Sequence, residues 1–392
     1  MLKKTANVLH KTLFSDKKSL ITYYYSEINH IKRQMNNFAA YLKNNMNRLL
    51  VPIAFVIITL SNSYAQKSLF KPSLIGFYNL ENFYDTINNP NIDDEEFLPN
   101  SQRHYDTRVF LDKVNRLAEV VSQMGTEVNP DGLAILGVAE IENDTVLHAL
   151  VNHKSLQSRK WKIVHYNSPD VRGVDVGLIY NPKYFTPLFS APVFVKLPGG
   201  SKDSYFIRDV LYVKGLLDGD TIHVMVNHWP SRSGGEERSM PARAAAAAVN
   251  KRIVDSLMAI NPASKIAIMG DLNDDPISPS VTKVLGAKGK LKDVKESGLF
   301  NPWHDFYKKG IGTLAYQDAW GLFDQIIISH AWLDKSQSGY HYHNAKIFNR
   351  EFLVQQTGKW KGYAKRTWDG MTYNYGYSDH FPVYITMLKK VN

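Results

Sequence analysis

The chain has 392 residues, of which 44% are hydrophobic, no cysteine and a formal net charge of +10. Disulfide bonds are therefore excluded, and the fold must be stabilised by a packed core. Residues 1–65 carry nine Lys and Arg against two acidic residues, a net +7, which leaves +3 for the other residues, so net charge does not argue that they bind a polyanion.

Residues 46–65 have the pattern of a secretory signal peptide. Arg48 precedes an apolar run of about a dozen residues, and the small residues Ser63 and Ala65 occupy positions −3 and −1 of a cleavage site. The run is shorter than the roughly 20 residues of a transmembrane helix. We therefore expect a periplasmic or secreted protein with no stable membrane anchor; an uncleaved anchor is the alternative. We interpret residues 1–45 as an upstream extension from a wrongly assigned start, with translation beginning at Met46.

From residue 66 onward, strand and helix patterns alternate and predict one α/β domain over residues 66–392. Residues 74–79 predict a first strand, and the polar residues 85–103 predict a loop. An amphipathic helix follows, because apolar residues recur at spacings of four and three: Phe110, Val114, Leu117, Val121 and Met124. Gly125 is expected to end this helix.

The middle of the chain continues the alternation. Residues 133–139 predict a buried strand that ends at Glu140, and Asn143 or Asp144 is expected to cap the next helix. Residues 161–166 and 174–180 predict two further strands. A hairpin is expected around the turn at residues 218–220, with strands at 206–213 and 221–227. The alanine-rich segment predicts a long helix over residues 241–260.

Residues 265–276 combine a buried strand with a polar corner. The apolar run 266–269 is expected to stop at Gly270, where glycine permits a sharp turn. Asp271, Asn273, Asp274 and Asp275 then follow within five residues, which indicates either a site for a divalent cation or a turn rich in Asp and Asn. Later strands are predicted at residues 322–328 and 381–385.

Polar residues stand at the edges of five predicted strands. They are Asn79, Glu140, His228, Asp271 with Asn273, and Asp379 with His380. Each alone is explained as a turn or surface residue, but strands of one sheet end at one rim, so five such positions indicate a site. Carboxylates, amides and imidazoles without cysteine suit Mg²⁺, Mn²⁺ or Ca²⁺.

These motifs resemble, in order, those of the endonuclease/exonuclease/phosphatase superfamily, which has the deoxyribonuclease I-like fold. Over residues 73–387 the matching motifs are Asn79-Leu-Glu-Asn82, Val138-Ala-Glu140-Ile, Val174-Asp-Val-Gly-Leu-Ile-Tyr180, Asn227-His228-Trp-Pro-Ser-Arg232, Gly270-Asp-Leu-Asn273-Asp, Phe323-Asp324-Gln-Ile and Ser378-Asp379-His380. The resemblance implies a four-layer αββα sandwich, an α/β (α+β) fold of two mixed β-sheets packed face to face and flanked by helices, with the active site at one rim.

The resemblance also implies a metal site. Glu140 is expected to be the principal ligand, helped by Asn79 and Asp379. The expected cation is Mg²⁺, with Mn²⁺ or Ca²⁺ as alternatives, acting as a Lewis acid on the phosphoryl group. Once Glu140 takes this part, Asp274 and Asp275 are interpreted as turn residues.

The remaining expected roles concern water and phosphate. Asp271 is expected to orient or deprotonate the attacking water, and Asn273 to hold Asp271 and the phosphate. His228 and His380 are expected to donate hydrogen bonds to phosphate oxygens, and one of them to transfer a proton.

Three further residues are assigned supporting roles. Asp324 is expected to orient His380, and Asp175 to do the same for His228. Arg208 lies where relatives carry a phosphate-contacting arginine; a charge at a strand edge is its alternative explanation.

The motif forms most resemble those of secreted bacterial nucleases. We therefore expect an exported, divalent-metal-dependent, monomeric phosphodiesterase whose substrate is nucleic acid, and specifically a DNA endonuclease. Aromatic and basic residues alternate over residues 359–377, and they either stack on bases or pack as a loop. A phosphodiesterase or phosphatase for phospholipid or small organic phosphates is the first alternative. A catalytically silent binding module is the second, and the intact set of motif residues argues against it.

Overall fold

The computed structural model describes residues 24–41, 43, 69–198 and 207–391. Two compact units divide the chain, Met1–Lys67 and Ser68–Asn392. In the first unit, residues 24–41 are helical with exposed side chains. The predicted signal peptide at 46–65 lies outside the described residues. A helix with the length and apolar character needed to cross a membrane is not found in the described parts of the chain.

Six strands of the second unit form the first large sheet. They are β1 (Leu69–Phe83), β2 (Ile135–Ile141), β3 (Lys162–His165), β4 (Asp175–Tyr180), β13 (Tyr340–Ile347) and β16 (Val383–Val391). Their order is β13-β16-β1-β2-β4-β3. Strands β1 and β2 run parallel, and the other neighbours run antiparallel, so the sheet is mixed.

A second six-stranded sheet has the order β5-β6-β7-β8-β12-β9. Its strands are β5 (Phe185–Val193), β6 (Val210–Leu217), β7 (Asp220–His228), β8 (Lys265–Asp271), β9 (Leu299–Phe300) and β12 (Asp324–Ser329). Here β7 and β8 run parallel and the other pairs antiparallel. The predicted hairpin is β6–β7, and its turn residues Asp218 and Gly219 have φ values of 49° and 87°, as a tight two-residue turn requires.

Four α-helices and two small hairpins complete the described unit. The helices are α1 (Thr107–Gln123), α2 (Asp144–Val151), α3 (Glu236–Ile260) and α4 (His304–Lys308). The hairpins pair β10 (Leu314–Tyr316) with β11 (Ala319–Gly321), and β14 (Trp368–Asp369) with β15 (Thr372–Tyr373). Asn143 caps α2 through its side chain, as expected. Helix α3 begins five residues before its expected start and contains Pro241.

The two large sheets pack against each other. Successive side chains of β7 and β8 point to opposite faces of their sheet. Val226 and Met269 lie in the core shared with the first sheet, and Met225 lies in the core that contains α3. Gly137 in β2 lies so close to the second sheet that a Cβ atom there would approach the Met269 sulfur to 2.5 Å. Helix α1 packs into the core that contains the first sheet, and α3 packs on the second sheet. The layers therefore follow the order helix, sheet, sheet, helix, which confirms the expected fold class.

Both large sheets have an edge strand that the sequence pattern did not predict. Strand β5 contains Pro187 and Pro192, which cannot donate ladder hydrogen bonds and are tolerated at a sheet edge. Strand β13 reads Tyr-His-Tyr-His-Asn-Ala-Lys-Ile, so its apolar character is weak. Each pairs with a single neighbour, and such half-exposed strands lack the apolar run that identified the central ones.

Candidate active site

Strand pairing in the second sheet aligns three of the expected site residues. Asp271 at the end of β8 lies opposite His228 at the end of β7 and opposite Asp324 at the start of β12. Gly270 permits the close approach of β7 and β8 that this alignment needs. A Cβ atom at position 270 would lie only 2.3 Å from the Asn227 carbonyl oxygen. The expectation that the strand stops and turns at Gly270 was therefore wrong: its lack of a side chain serves close strand approach.

The first sheet contributes the remaining expected residues at the same rim. Asn79 of β1 pairs with Ala139, directly before Glu140 in β2. Asp379 and His380 lie a few residues before β16, whose first residue, Val383, pairs with Phe77 of β1. The two sheets meet where the Asn79 side-chain amide donates to the Asp271 carboxylate over 3.1 Å.

Asp271 lies at the centre of the cluster. Its side chain is buried and accepts hydrogen bonds from the Asn79 amide at 3.1 Å and the Asn273 backbone N–H at 2.9 Å. The Nε2 atoms of His228 and His380 lie 3.7 and 3.8 Å from its Oδ2. Burial raises the pKa of Asp271 to about 6, while the nearby His380 opposes that rise.

The two imidazoles have opposite electrostatic environments. Burial alone would lower the pKa of His380, but the carboxylates of Asp324 and Asp271 raise it well above its usual value, and Nδ1 lies 2.7 Å from Asp324. Burial, followed by the positive charge of Arg208, lowers the pKa of His228 well below the usual value. These surroundings favour the charged form of the His380 imidazole and the neutral form of the His228 imidazole.

Glu140 lies at a bulge where β2 loses register with both neighbours. Its φ of 58° is left-handed, a conformation that costs energy for a residue with a side chain. The carboxylate accepts from the Asn82 backbone N–H at 2.9 Å and the Asn79 amide at 3.3 Å. Asn273 is left-handed as well, with φ at 49°, a conformation that asparagine tolerates better than glutamate. Local strain of this kind concentrates at sites where a side chain must be aimed.

The donor set fits a hard divalent cation. Glu140 and Asp379 keep 15% and 31% of their side chains exposed, so both carboxylates are open to solvent at the rim. Oxygen donors of this kind suit Mg²⁺. A second possible group, Asp271, Asp324 and His380, has its donor atoms within 4.8 Å of one another but is buried. The Asn79 side-chain oxygen accepts from the Glu81 N–H, so its amide nitrogen faces the carboxylates.

Arg208 is buried behind the cluster. Its guanidinium donates to the carbonyl oxygens of His228 and Trp229, at 3.2 and 2.9 Å, and to Asp170 at 2.8 Å. In this arrangement it holds the backbone after β7 in place. Its contact with phosphate stays a prediction.

Asp175 lies away from His228. It contacts the ring of His165 at 2.9 Å and accepts from the Ser168 N–H at 2.7 Å. His228 Nδ1 is buried with no hydrogen-bond partner among the described residues. The expectation that Asp175 orients His228 was therefore wrong, because the strand turns the carboxylate toward its neighbour β3.

Two arginines stabilise the corner after β8. Arg232 donates to the Asn273 carbonyl oxygen at 2.9 Å and to Asp275 at 3.0 Å, and Arg243 lies 2.7 Å from Asp274. The two aspartates are turn residues, as expected, but they are buried and paired. Arg243 was not identified from sequence, although a single arginine within a run of alanines in a helix that packs on the sheet was a signal.

A buried lysine was missed as well. Lys113 on α1 donates to the Glu81 carbonyl oxygen at 2.6 Å and to the Thr367 hydroxyl at 2.7 Å, directly beneath the end of β1. Its sequence signal was available: position 113 lies three residues after Phe110 and four before Leu117, on the apolar face of the predicted helix.

Comparisons with known proteins show the family of the chain. A family model described as the Endonuclease/Exonuclease/phosphatase family matches residues 74–389. A family protein of that description from Bacteroides thetaiotaomicron is 14% identical and covers 83% of this chain and 100% of its own, with a TM-score of 0.49. Humanized D. rerio TDP2 with 14 mutations is 13% identical and covers 81% of this chain and 98% of its own, with a TM-score of 0.48.

A mannosyl-6-phosphatase from Bacteroides thetaiotaomicron is also similar: it is 14% identical and covers 80% of this chain and 99% of its own, with a TM-score of 0.47. No protein of curated function matches the chain in sequence. The family model spans both sheets and every motif at the rim. The chain therefore belongs to the endonuclease/exonuclease/phosphatase family and is a hydrolase of phosphoester bonds.

Proposed function

We propose that the protein is an exported, divalent-metal-dependent phosphodiesterase that acts as a DNA endonuclease, with Asp271 as the group that activates water. The observation that carries the proposal is the position of Asp271, buried between two imidazoles and held by two amides. A turn residue or a structural carboxylate would not need two imidazoles beside one oxygen, one in surroundings that favour its charged form and one in surroundings that favour its neutral form.

Asp271 has the properties of a general base. A base works best when its pKa lies near the operating pH, and burial moves this carboxyl from its ordinary acidic range to about 6. Near neutral pH it is mostly ionised, so it can accept a proton from water. Hydrogen bonds from Asn79 and from the Asn273 backbone fix both carboxylate oxygens, so that the water is held in one orientation.

The imidazoles would hold the phosphate. His228 and His380 each have Nε2 nearly 4 Å from Asp271, too far for a hydrogen bond, so neither ring nitrogen is used up by that carboxylate. A protonated His380 would donate to a phosphoryl oxygen and neutralise developing charge. Asp324 fixes its ring from the other nitrogen, so that the donor points at the substrate.

Glu140 and Asp379 would hold the divalent cation, with Asn79 ordering the Glu140 carboxylate. Bound there, the cation supplies Lewis-acid polarisation of the phosphoryl group. Glu140 is positioned for this by two hydrogen bonds and a strained backbone, and its carboxylate still faces the rim. Arg366 contacts Asp379 at 3.0 Å and would balance its charge when no cation is bound.

The proposal of nucleic acid as the substrate is supported by the surroundings of the cluster. A cleft of about 1000 Å³ adjoins it, at the upper end of the size range for small-molecule sites, and aromatic side chains line it. A small phosphate ester has no group for such an aromatic cleft, whereas a nucleotide can place its base there while its phosphate stays at the cluster. We further propose that the predicted signal at residues 46–65 directs export and that the enzyme works as a monomer.

One assay tests the substrate class. The full chain is incubated with supercoiled plasmid, circular single-stranded DNA, RNA, sphingomyelin and bis(p-nitrophenyl) phosphate, with Mg²⁺ or with a chelator. We expect the circular DNAs to be cut in Mg²⁺ and left intact in chelator. Turnover of only sphingomyelin or the small ester would contradict a nuclease, and full activity in chelator would contradict metal dependence.

A further inference from the structure

A cleft lies beside the active site, under the β10–β11 hairpin. Its volume is about 1000 Å³, and three segments line it: the loop that follows β7, the corner that follows β8 and the hairpin itself. Phe323, the residue directly before the start of β12 at Asp324, lines it as well. The first two segments follow the strands that end in His228 and Asp271, and the hairpin leads into β12, which starts at Asp324.

The cleft starts within a few residues of the reacting groups. Ser231 follows His228 by three positions and Asp275 follows Asn273 by two, so their Cα atoms lie within about 11 and 7 Å of those residues. Arg232, which lines the cleft, also donates to the Asn273 carbonyl oxygen. A group covalently joined to the phosphate can therefore enter the cleft while the phosphate lies at Asp271.

Aromatic rings form the hairpin side of the cleft. Trp320 is 37% exposed, and its ring stacks on Phe381, with centroids 6.1 Å apart and 11° between ring planes, and also contacts the tilted ring of Tyr363. Tyr316 is 71% exposed, and Tyr307 adds a third ring. A partly exposed tryptophan ring that two other rings hold in place offers a rigid, flat surface to a ligand.

The charges of the cleft are already balanced. Among the described residues that line it, Arg232 is the only cation. It forms ion pairs with Glu236 and Asp275, both at 3.0 Å, and its guanidinium lies over the Phe323 ring at 4.5 Å. With two carboxylates and one engaged arginine, the cleft does not attract a phosphate backbone. A neutral, planar group satisfies its surface better.

We propose that this cleft binds an unpaired nucleobase next to the scissile phosphate, stacked on Trp320, and that the enzyme therefore prefers single-stranded nucleic acid. A base within a duplex exposes its edges in the grooves while its faces are covered by its neighbours. Stacking on Trp320 thus requires a strand that is not paired at that nucleotide. The inference rests on the proposed nuclease function and adds the form of the substrate.

The test compares strands with and without bases. The full chain in Mg²⁺ cleaves oligothymidylate and an oligonucleotide of equal length in which tetrahydrofuran replaces every nucleoside sugar and base. One stacked base contributes a factor of about 10 to 100. We expect the wild type to favour oligothymidylate in kcat/KM by about tenfold or more. In Trp320→Ala this preference should fall to about twofold, and Trp320→Phe should keep most of it.

Two controls separate stacking from general damage. Phe70→Ala removes an exposed ring at the distant start of β1 and should keep the wild-type preference. If Trp320→Ala does not fold, Tyr316→Ala, which removes a more exposed ring, is measured in the same way.

Specific outcomes would overturn the inference. A wild-type ratio near one, an unchanged ratio in Trp320→Ala, or equal cleavage of duplex and single-stranded oligonucleotides would each contradict the base subsite, while nuclease activity itself remained. Cleavage of neither oligonucleotide, with turnover of a small ester, would instead contradict the proposed function.

Discussion

At the scale of single residues, the cluster is defined by which side chain faces which. The residue types at the rim could be predicted from the sequence, because polar residues at the ends of apolar runs can be recognised in the sequence alone. The partners of these side chains could not be predicted. Asp175 contacts His165, and Arg208 donates hydrogen bonds to backbone oxygens and to Asp170. These pairings depend on strand twist and on loops separated by dozens of residues, and no local spacing encodes them.

The Asp324–His380 pair controls the charge of the imidazole. Replacing Asp324 by Asn removes the negative charge that raises the pKa of His380 most strongly. We expect the pKa of His380, followed by NMR of labelled histidine, to fall, and kcat to fall by about 100-fold. Asp175→Asn, which alters the His165 pair instead, should leave the His380 titration unchanged. An unaltered His380 pKa in Asp324→Asn would contradict this assignment.

Gly270 is required for the close approach of β7 and β8. An added methyl group would lie 2.3 Å from a backbone oxygen that cannot rotate away. We expect Gly270→Ala to lower the free energy of unfolding by about 1–3 kcal/mol. Because His228 and Asp271 follow on these same strands, kcat should fall too. Urea unfolding measures the first effect, and a stability equal to that of the wild type would show that the strands can separate freely.

At the scale of elements, central strands and amphipathic helices were predictable and edges were not. Strands β2, β7 and β8 appear as apolar runs because both of their faces are buried. The α1 helix is visible through its apolar periodicity. The edge strands β5 and β13 carry mixed residues. Likewise, β1 extends to Leu69, well before its predicted start, because backbone pairing with β16 continues where side chains are exposed.

The contact between α1 and the end of β1 depends on a buried charge. Lys113 lies beneath Glu81, whose pKa burial raises to about 7 while the lysine opposes the rise. Lys113→Met removes the compensating cation and leaves the Glu81 carbonyl and the Thr367 hydroxyl without their donor. We expect a loss of about 3 kcal/mol in the free energy of unfolding.

Thermal and urea unfolding test the Lys113 prediction. Arg108→Met on the same helix is the matched control, because that side chain is 77% exposed, and its stability should stay within about 0.5 kcal/mol of the wild type. Equal stability of both variants would contradict a structural role for the buried lysine.

At the scale of the whole molecule, the residues that form the two sheets and the site belong to a part of the chain with little net charge. The net charge beyond residue 65 is +3, the difference between the whole chain's +10 and the +7 of residues 1–65. Several cations near the site are already paired, Arg232 and Arg366 among them. Substrate recognition should therefore rely on rings and on the reaction centre more than on long-range attraction.

Salt dependence measures this balance. For an enzyme that contacts few phosphates, the slope of log KM against log salt concentration should stay below about 3. We expect such a shallow slope for oligothymidylate between 50 and 200 mM salt, roughly the range over which phosphate contacts are resolved. A slope above about 6 would indicate a wide phosphate-binding surface and contradict the inference from charge.

The central claim is that Asp271 activates the attacking water. Its most direct test is single-turnover cleavage of single-stranded DNA by Asp271→Asn in saturating Mg²⁺, with folding checked by thermal unfolding. Asn has nearly the same shape but cannot accept the proton, so we predict a fall of about 1000-fold or more in the rate of the chemical step, with stability retained. A folded Asp271→Asn enzyme that cleaves at close to the wild-type rate would contradict the claim.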